Sequence, residues 1–310
     1  MARTDQRVGK VLQSIAKPHY PFSKNGDYDI LSSQKVNAIK DFLENIGFDI
    51  IISKDYGIIV CDKFKEASSI EEAIQSKFKD LNLIVVSHID NIKEFNTQEM
   101  QESLPKQLLN IKGYEEHNKE IIGALDSTLL NGILLSIMQM KKVNFSDNCS
   151  DVMFLFSIGE ENSQDRGFEE SAGISKFMDK FNHDILENSI KVINLDVTAK
   201  EYHEYKNDKD IPLFIEYDKI LEKEKLRIDN KYSPLASLML FDELADDIQF
   251  CDYGENVSKY NIWTLTIALN TFGEINSKNN FTYMKHIDKY FNFLHNFMLS
   301  FRDMREENYS

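Results

Sequence analysis

The sequence predicts an α/β protein built on a largely parallel or mixed sheet. Two observations support this prediction: short apolar runs bounded by polar turns recur along the 310 residues, and segments with helical spacing lie between them. Several runs are almost continuously apolar rather than alternating, as expected of strands that are covered on both faces. Strands that alternate with helices are typical of sheets with crossover connections, so the strands are expected to run mostly in parallel.

The predicted strands are apolar runs of four to eight residues that end at polar positions. Most contain valine, isoleucine or phenylalanine, which fit the pleated surface of a sheet. They comprise residues 48–53, 57–61, 83–87, 152–158, 192–195, 212–217 and 262–269.

The predicted helices show apolar residues at intervals of three and four. In the first of them, Val36, Ile39 and Leu43 fall on one face. The helices are expected at residues 33–46, 128–142, 173–180, 234–247 and 287–302.

A single domain covering residues 1–310 is the simplest organisation, because no repeat, low-complexity tract or linker rich in proline and glycine interrupts the chain. The stretch 91–120 is polar and has little periodicity, so we expect an irregular excursion over the functional site.

The charge and the cysteines exclude several classes of function. With 51 acidic and 36 basic residues the net charge is −15, which disfavours binding to a phosphate backbone, and no glycine-rich phosphate loop is present. Cys61, Cys149 and Cys251 are far apart and lack the CxxC spacing of a thiolate zinc site. No apolar run has the length of a membrane span, and the first residues lack an apolar signal core. We therefore predict a cytoplasmic protein that binds neither nucleic acid nor membranes.

The strongest functional signal is the segment Val85-Val86-Ser87-His88-Ile89-Asp90, where an apolar strand ends in a histidine and an aspartate. In an extended backbone, residues two apart point to the same side, so these two side chains can share a pocket. The aspartate can then accept the ring N–H that a metal ion does not use. Taken alone, this pattern also fits a solvated strand end.

Further acids and a histidine follow at or just after other predicted strands: Asp126, the pair Glu160 and Glu161, Asp196, and His286. Each has an ordinary alternative, namely a helix cap, a solvated turn, a turn residue at a strand end, and a packed histidine. Ligands of open α/β sheets gather outside the carboxyl ends of the strands. We therefore expect these side chains to converge on one site.

The ordered set resembles the clan of co-catalytic dizinc exopeptidases, which includes leucyl and glutamyl aminopeptidases and the desuccinylase and carboxypeptidase group. Four segments are similar to sequence motifs of that clan: SHID at residues 87–90, GALD at 123–126, GEE at 159–161 followed by RG at 166–167, and LDVT at 195–198. The similarity spans about residues 80–290. It implies a three-layer αβα fold with a mixed, mostly parallel central sheet.

The resemblance also implies two divalent metal ions, with zinc expected in both positions, and a role for each residue. Asp90 would orient His88, and Glu160 would act as the general base. A bridging carboxylate suits two ions held close together. The implied ligands are His88 and Asp196 for one ion, Glu161 and His286 for the other, and Asp126 between them.

The chain departs from the clan in ways that leave alternatives open. Ser127-Thr128-Leu129-Leu130 stands where relatives usually have a small residue and a glycine before the helix, and His295 competes with His286 as the last ligand. The intervals between the motifs leave no room for an inserted lid domain, so the resemblance implies a lidless member. Arg166 is the only arginine near the motifs, which favours an aminopeptidase acting on peptides or small amides over a carboxypeptidase. A non-catalytic binding descendant and a deacylase of small molecules are the alternatives.

Overall fold

A mixed sheet of eight strands forms the centre of the protein, with a second, three-stranded sheet beside it. The computed structural model describes residues 4–19, 21–23, 25–90, 109–112, 120–123, 125–126, 128–144, 151–159, 172–198, 213–217, 236–240, 262–272 and 280–307. The strands are β1 (Asp49–Ser53), β2 (Gly57–Cys61), β3 (Leu83–His88), β4 (Leu109–Lys112), β5 (Glu120–Gly123), β6 (Val152–Ser157), β7 (Lys191–Thr198), β8 (Leu213–Tyr217), β9 (Ala236–Leu240), β10 (Thr264–Asn270) and β11 (Phe281–Tyr283).

The large sheet has the strand order β1-β2-β6-β3-β7-β10-β8-β9. Its four central strands, β6, β3, β7 and β10, run parallel to one another. At one edge β1 and β2 form an antiparallel pair, and at the other β8 and β9 run antiparallel to β10. The small sheet is antiparallel, in the order β11-β5-β4. The parallel centre brings the carboxyl ends of β6, β3 and β7 to one edge.

Helices cover both faces of the large sheet. Their bounds are α1 (Thr4–Ile15), α2 (Gln34–Asn45), α3 (Ile70–Phe78), α4 (Thr128–Asn144), α5 (Ala172–Glu187) and α6 (Met284–Glu307), and a short 3-10 helix spans Ile30–Ser32. None of the described helices is long and apolar enough to cross a membrane.

Two apolar cores separate the layers. Alternate residues of the central strands face opposite sides: Val85 packs with α1, α2, α4 and α6, whereas Ile84 and Val86 pack with α3 and α5. Because both faces are covered, β3, β6 and β10 are buried along their whole length, as their apolar runs indicate. The predicted three-layer fold with a mixed, mostly parallel sheet is confirmed.

All seven predicted strands are present, and four of the five predicted helices are present with shifted ends. The helix predicted at 234–247 is wrong for residues 236–240, which form β9 and pair in parallel with β8. A five-residue apolar segment does not distinguish helix from strand by periodicity, and pairing with a neighbouring strand decides it. The rest of that prediction lies outside the described residues.

The stretch 91–120, predicted as an irregular excursion, includes the strand β4 and the first residue of β5. The remainder of this stretch lies outside the described residues. Two helices, α1 and α3, were not predicted. Ser69 is the N-cap of α3, because its side chain accepts a hydrogen bond from the Glu72 amide.

Candidate metal centre

The strand β3 ends at His88, and the side chains of His88 and Asp90 are both buried. The main chain continues along the sheet edge, because the Ile89 amide donates to the Ser157 carbonyl at 2.8 Å. The Asp90 carboxylate lies on the Nδ1 side of the ring, with Oδ1 3.8 Å from Nδ1. This distance exceeds that of a hydrogen bond, so the contact acts through charge.

Asp126 lies in the turn between β5 and α4 and faces the other ring nitrogen of His88. Its Oδ1 atom is 2.9 Å from His88 Nε2. The turn is held by the Thr128 amide, which donates to the Asp126 carbonyl at 2.8 Å, and by the Leu129 amide, which donates to the Leu125 carbonyl at 2.9 Å. His88 therefore has a carboxylate on each side of its ring.

Asp196 lies within β7, beside Ala268 of β10, and is almost fully buried. The strand continues to Thr198, past the end predicted at residue 195. Its Oδ1 atom accepts a hydrogen bond of 2.7 Å from the Val197 amide, which fixes one side of the carboxylate.

These side chains converge. One ligand atom from each of His88, Asp126 and Asp196 can be chosen such that all three lie within 4.8 Å of one another. One imidazole nitrogen with carboxylate oxygens is a donor set that suits zinc and similar divalent ions, which hold such ligands at about 2.0–2.2 Å. Carboxylates that lie close together, with Asp196 buried and Asp126 partly buried, are also stabilised by positive charge nearby. The residues present therefore fit a metal ion.

His286 is fully buried and is the third residue of α6, rather than preceding that helix as predicted. Its ring contacts Phe272 and Tyr283 at centroid distances of 5.7 and 5.5 Å. Among the described residues it does not join the three-residue group. The competing His295 lies farther along the same helix, with its ring stacked on Phe291 at 6.5 Å.

Glu160 and Glu161 lie outside the described residues. The strand that leads to them is described, and it places Ser157 directly opposite His88 in the parallel pair of β6 and β3. The chain thus reaches the glutamates from the strand adjacent to the one that carries the histidine.

The segment 160–171 begins and ends at adjacent points. The Ala172 amide donates to the Gly159 carbonyl at 3.1 Å, and the Gly173 amide donates to the Ile158 carbonyl at 2.9 Å. Gly159 has φ of +71°, which a residue with a side chain adopts only with strain. A side chain at Gly173 would come within 2.5 Å of the Ile158 carbonyl oxygen. The glycines allow the end of β6 and the start of α5 to pack against each other.

Asn131, which the sequence interpretation did not single out, connects α4 to β3. It is fully buried; its Nδ2 donates to the His88 carbonyl and its Oδ1 accepts from the Ser87 hydroxyl, both at 2.8 Å. Its signal in the sequence is an amide within the nearly apolar run 129–138. A buried amide in such a run needs hydrogen-bond partners on another element.

Burial and acidic residues of the site raise the pKa of two tyrosines, the half-buried Tyr28 and the fully buried Tyr290. Burial raises the pKa of the Tyr28 phenol, and the negative charge of Asp90 raises it further. Burial, followed by the charge of Asp196, holds the pKa of Tyr290 well above its usual value. Both phenols therefore remain protonated donors, and Tyr290 donates to the Ile267 carbonyl at 2.6 Å.

No protein-family model matches the sequence, and no curated protein sequence matches it. Solved structures with similar folds include an M18-family aminopeptidase from Thermotoga maritima, with a TM-score of 0.59 and 10% identity over 96% of each chain. The TET1 peptidase of Pyrococcus horikoshii gives 0.57 and 9% over 93% of this chain and 98% of that one. Aminopeptidase PepT from Bacillus cereus gives 0.54 and 10% over 94% and 97%.

These similarities extend over nearly the whole of each chain, so this chain has the fold of these aminopeptidases. The identities of 9–10% establish the fold alone.

Proposed function

We propose that this protein is a two-metal exopeptidase of the aminopeptidase type, acting on a peptide or a small amide. The observation that supports it best is the convergence of His88, Asp126 and Asp196 from three elements distant in sequence. The same fold in solved aminopeptidases is consistent with this proposal. The scarcity of arginine near the motifs favours a substrate with a free amino group, since a substrate carboxylate requires a cation.

The ligands belong to the same proposal. His88 and Asp196 would hold one ion, Glu161 and His286 would hold the second, and Asp126 would be a ligand shared by both. When bound, two zinc ions would lower the pKa of water toward neutrality and polarise the substrate carbonyl.

The remaining chemistry falls to side chains of this chain. Glu160 takes the proton of the attacking water and returns it to the leaving amine. The Asp90 charge on the Nδ1 side favours the tautomer in which Nδ1 of His88 carries the hydrogen, so Nε2 is available as a ligand. Asp196 is held in orientation by its hydrogen bond with the Val197 amide. We extend the proposal to a cytoplasmic location.

The test combines metal content with hydrolysis. Protein purified without added zinc is analysed for bound metal, and wild type and Glu160→Gln are assayed on a panel of aminoacyl anilides. Glu66→Gln, a matched change at an exposed glutamate, is the control. About two metals per chain, with hydrolysis lost only in Glu160→Gln, is the expected result.

His88→Ala tests the metal site directly and is paired with His183→Ala, at an exposed histidine of α5. We expect the first variant to lose metal and the second to keep it. Absence of metal from the wild type would refute the proposal. If the protein binds metal and hydrolyses small amides but none of the anilides, it is a deacylase of small molecules. If it binds metal and hydrolyses neither kind of substrate, it is a binding protein.

A further inference from the structure

A lysine is fully buried beside the candidate metal centre. Lys35, the second residue of α2, has no exposed surface, and its Nζ donates to the Thr128 hydroxyl at 2.9 Å. Lysine side chains are rarely buried completely, because removing an ammonium group from water is costly unless it is paired.

The first turn of α2 is fixed from several sides. Ser33 caps the helix by accepting a hydrogen bond from the Val36 amide, and its hydroxyl is also 2.9 Å from His19 Nδ1. The Lys35 amide donates to the Pro18 carbonyl at 3.2 Å. The lysine thus extends into the core from a backbone that is held in place.

Its partner, Thr128, is the first residue of α4 and belongs to the turn that carries Asp126. The Thr128 amide donates to the Asp126 carbonyl, and the Asp126 carboxylate contacts His88. A continuous set of contacts therefore runs from Lys35 through Thr128 and Asp126 to His88.

We propose that Lys35 is a positioning residue for the metal centre: through Thr128 its ammonium group holds the turn that places Asp126 against His88. This inference rests on the proposed function, because it concerns the affinity of the site for metal. Partners that orient ligands are worth about 10-fold to 100-fold in metal affinity in other proteins.

The experiment measures zinc affinity by competition with a chromophoric chelator, and the absorption spectrum of the Co²⁺-loaded protein. The variants are Lys35→Met, Thr128→Val, Thr128→Ser and the double variant of Lys35→Met with Thr128→Val. Two controls remove similar groups: Lys77→Met, at a buried lysine of α3 on the other side of the sheet, and Ser136→Ala, at a buried hydroxyl two turns along α4. Urea denaturation of the metal-free proteins measures stability separately.

We expect Lys35→Met and Thr128→Val each to weaken zinc binding about 10-fold or more and to change the Co²⁺ spectrum. Thr128→Ser, which keeps the hydroxyl, should bind within about threefold of wild type. The double variant should bind zinc at most about twofold more weakly than the weaker-binding single variant, because both single changes remove the same hydrogen bond. The two controls should reduce stability and leave zinc affinity unchanged.

Zinc affinity within about twofold of wild type in both Lys35→Met and Thr128→Val would overturn the inference, even if both lose stability, because their role would then be structural. If Lys35→Met does not fold, the comparison of Thr128→Val with Thr128→Ser decides. A wild type without metal refutes the proposed function, whereas a metal-binding wild type with unaffected variants refutes this inference alone.

Discussion

Asn131 offers the sharpest test of how the end of β3 is positioned. Its side-chain amide connects α4 to β3 through two hydrogen bonds, one from its nitrogen and one to its oxygen. Replacing it by alanine removes the donor to the His88 carbonyl and the acceptor of the Ser87 hydroxyl. Both of those groups are buried, so the substitution takes a hydrogen-bond partner from a buried carbonyl and from a buried hydroxyl.

The cost follows from the two groups left behind. An unsatisfied buried donor or acceptor costs about 1–3 kcal/mol, so Asn131→Ala should lower the free energy of unfolding by about 2–6 kcal/mol. A protein of this kind is stable by about 5–15 kcal/mol, so the loss is readily measured.

The assay is urea denaturation of metal-free protein, followed by far-ultraviolet circular dichroism. Asn182→Ala in α5 is the matched control, since that amide is partly exposed and donates only to carbonyls of its own helix. The control should change stability by about 0.5 kcal/mol or less.

Equal losses in Asn131→Ala and Asn182→Ala, or a loss below about 1 kcal/mol in the first, would refute the reasoning. A double-mutant cycle with Ser87→Ala adds a second criterion. Because the hydroxyl and the amide share one hydrogen bond, their effects should not add, and simple additivity would show that they are not coupled.

Two further predictions concern the close contacts and the buried thiol. Gly173→Ala should lower the free energy of unfolding by about 1–3 kcal/mol, because its Cβ would meet the Ile158 carbonyl oxygen at 2.5 Å. Gly9→Ala, whose Cβ would have nothing within 4 Å, should leave stability unchanged or raise it. Thermal denaturation of both variants measures the difference, and equal melting temperatures would contradict the prediction. Burial raises the pKa of the Cys61 thiol to about 12, so this thiol stays protonated in the folded protein while it ionises in the unfolded chain from about pH 9. Its contribution to stability is therefore complete below pH 9 and lost as the pH rises toward 12. The difference in unfolding free energy between wild type and Cys61→Ala should shrink over that range, and a constant difference would exclude this linkage.

Much of the fold could be predicted because its strands are continuously apolar. Such runs arise where a strand is covered on both faces, and all seven predicted runs are strands. β9 was mistaken for a helix because its five residues owe their conformation to pairing with β8, a contact that periodicity does not record.

At the site, the sequence indicated the residues that come together, His88, Asp126 and Asp196, since acids and histidines at strand ends are visible as a pattern. It did not indicate what holds them. Lys35 and Asn131 are polar residues at core positions, and their partners lie 93 and 43 or 44 positions away in the chain. Local pattern predicts a charged residue to be exposed, and only the packed structure shows the buried partner.

The joined ends of segment 160–171 have a consequence for how this chain could diverge or be engineered. Because the carbonyls of Ile158 and Gly159 accept hydrogen bonds from the amides of Gly173 and Ala172, the two ends of this segment are held together, and its length is not set by a distance that it must span. Each doubling of such a loop costs only about 0.6 kcal/mol in closure entropy. Residues added after Glu161 should therefore cost little stability, because β6 and α5 stay hydrogen-bonded to each other on either side of the insertion.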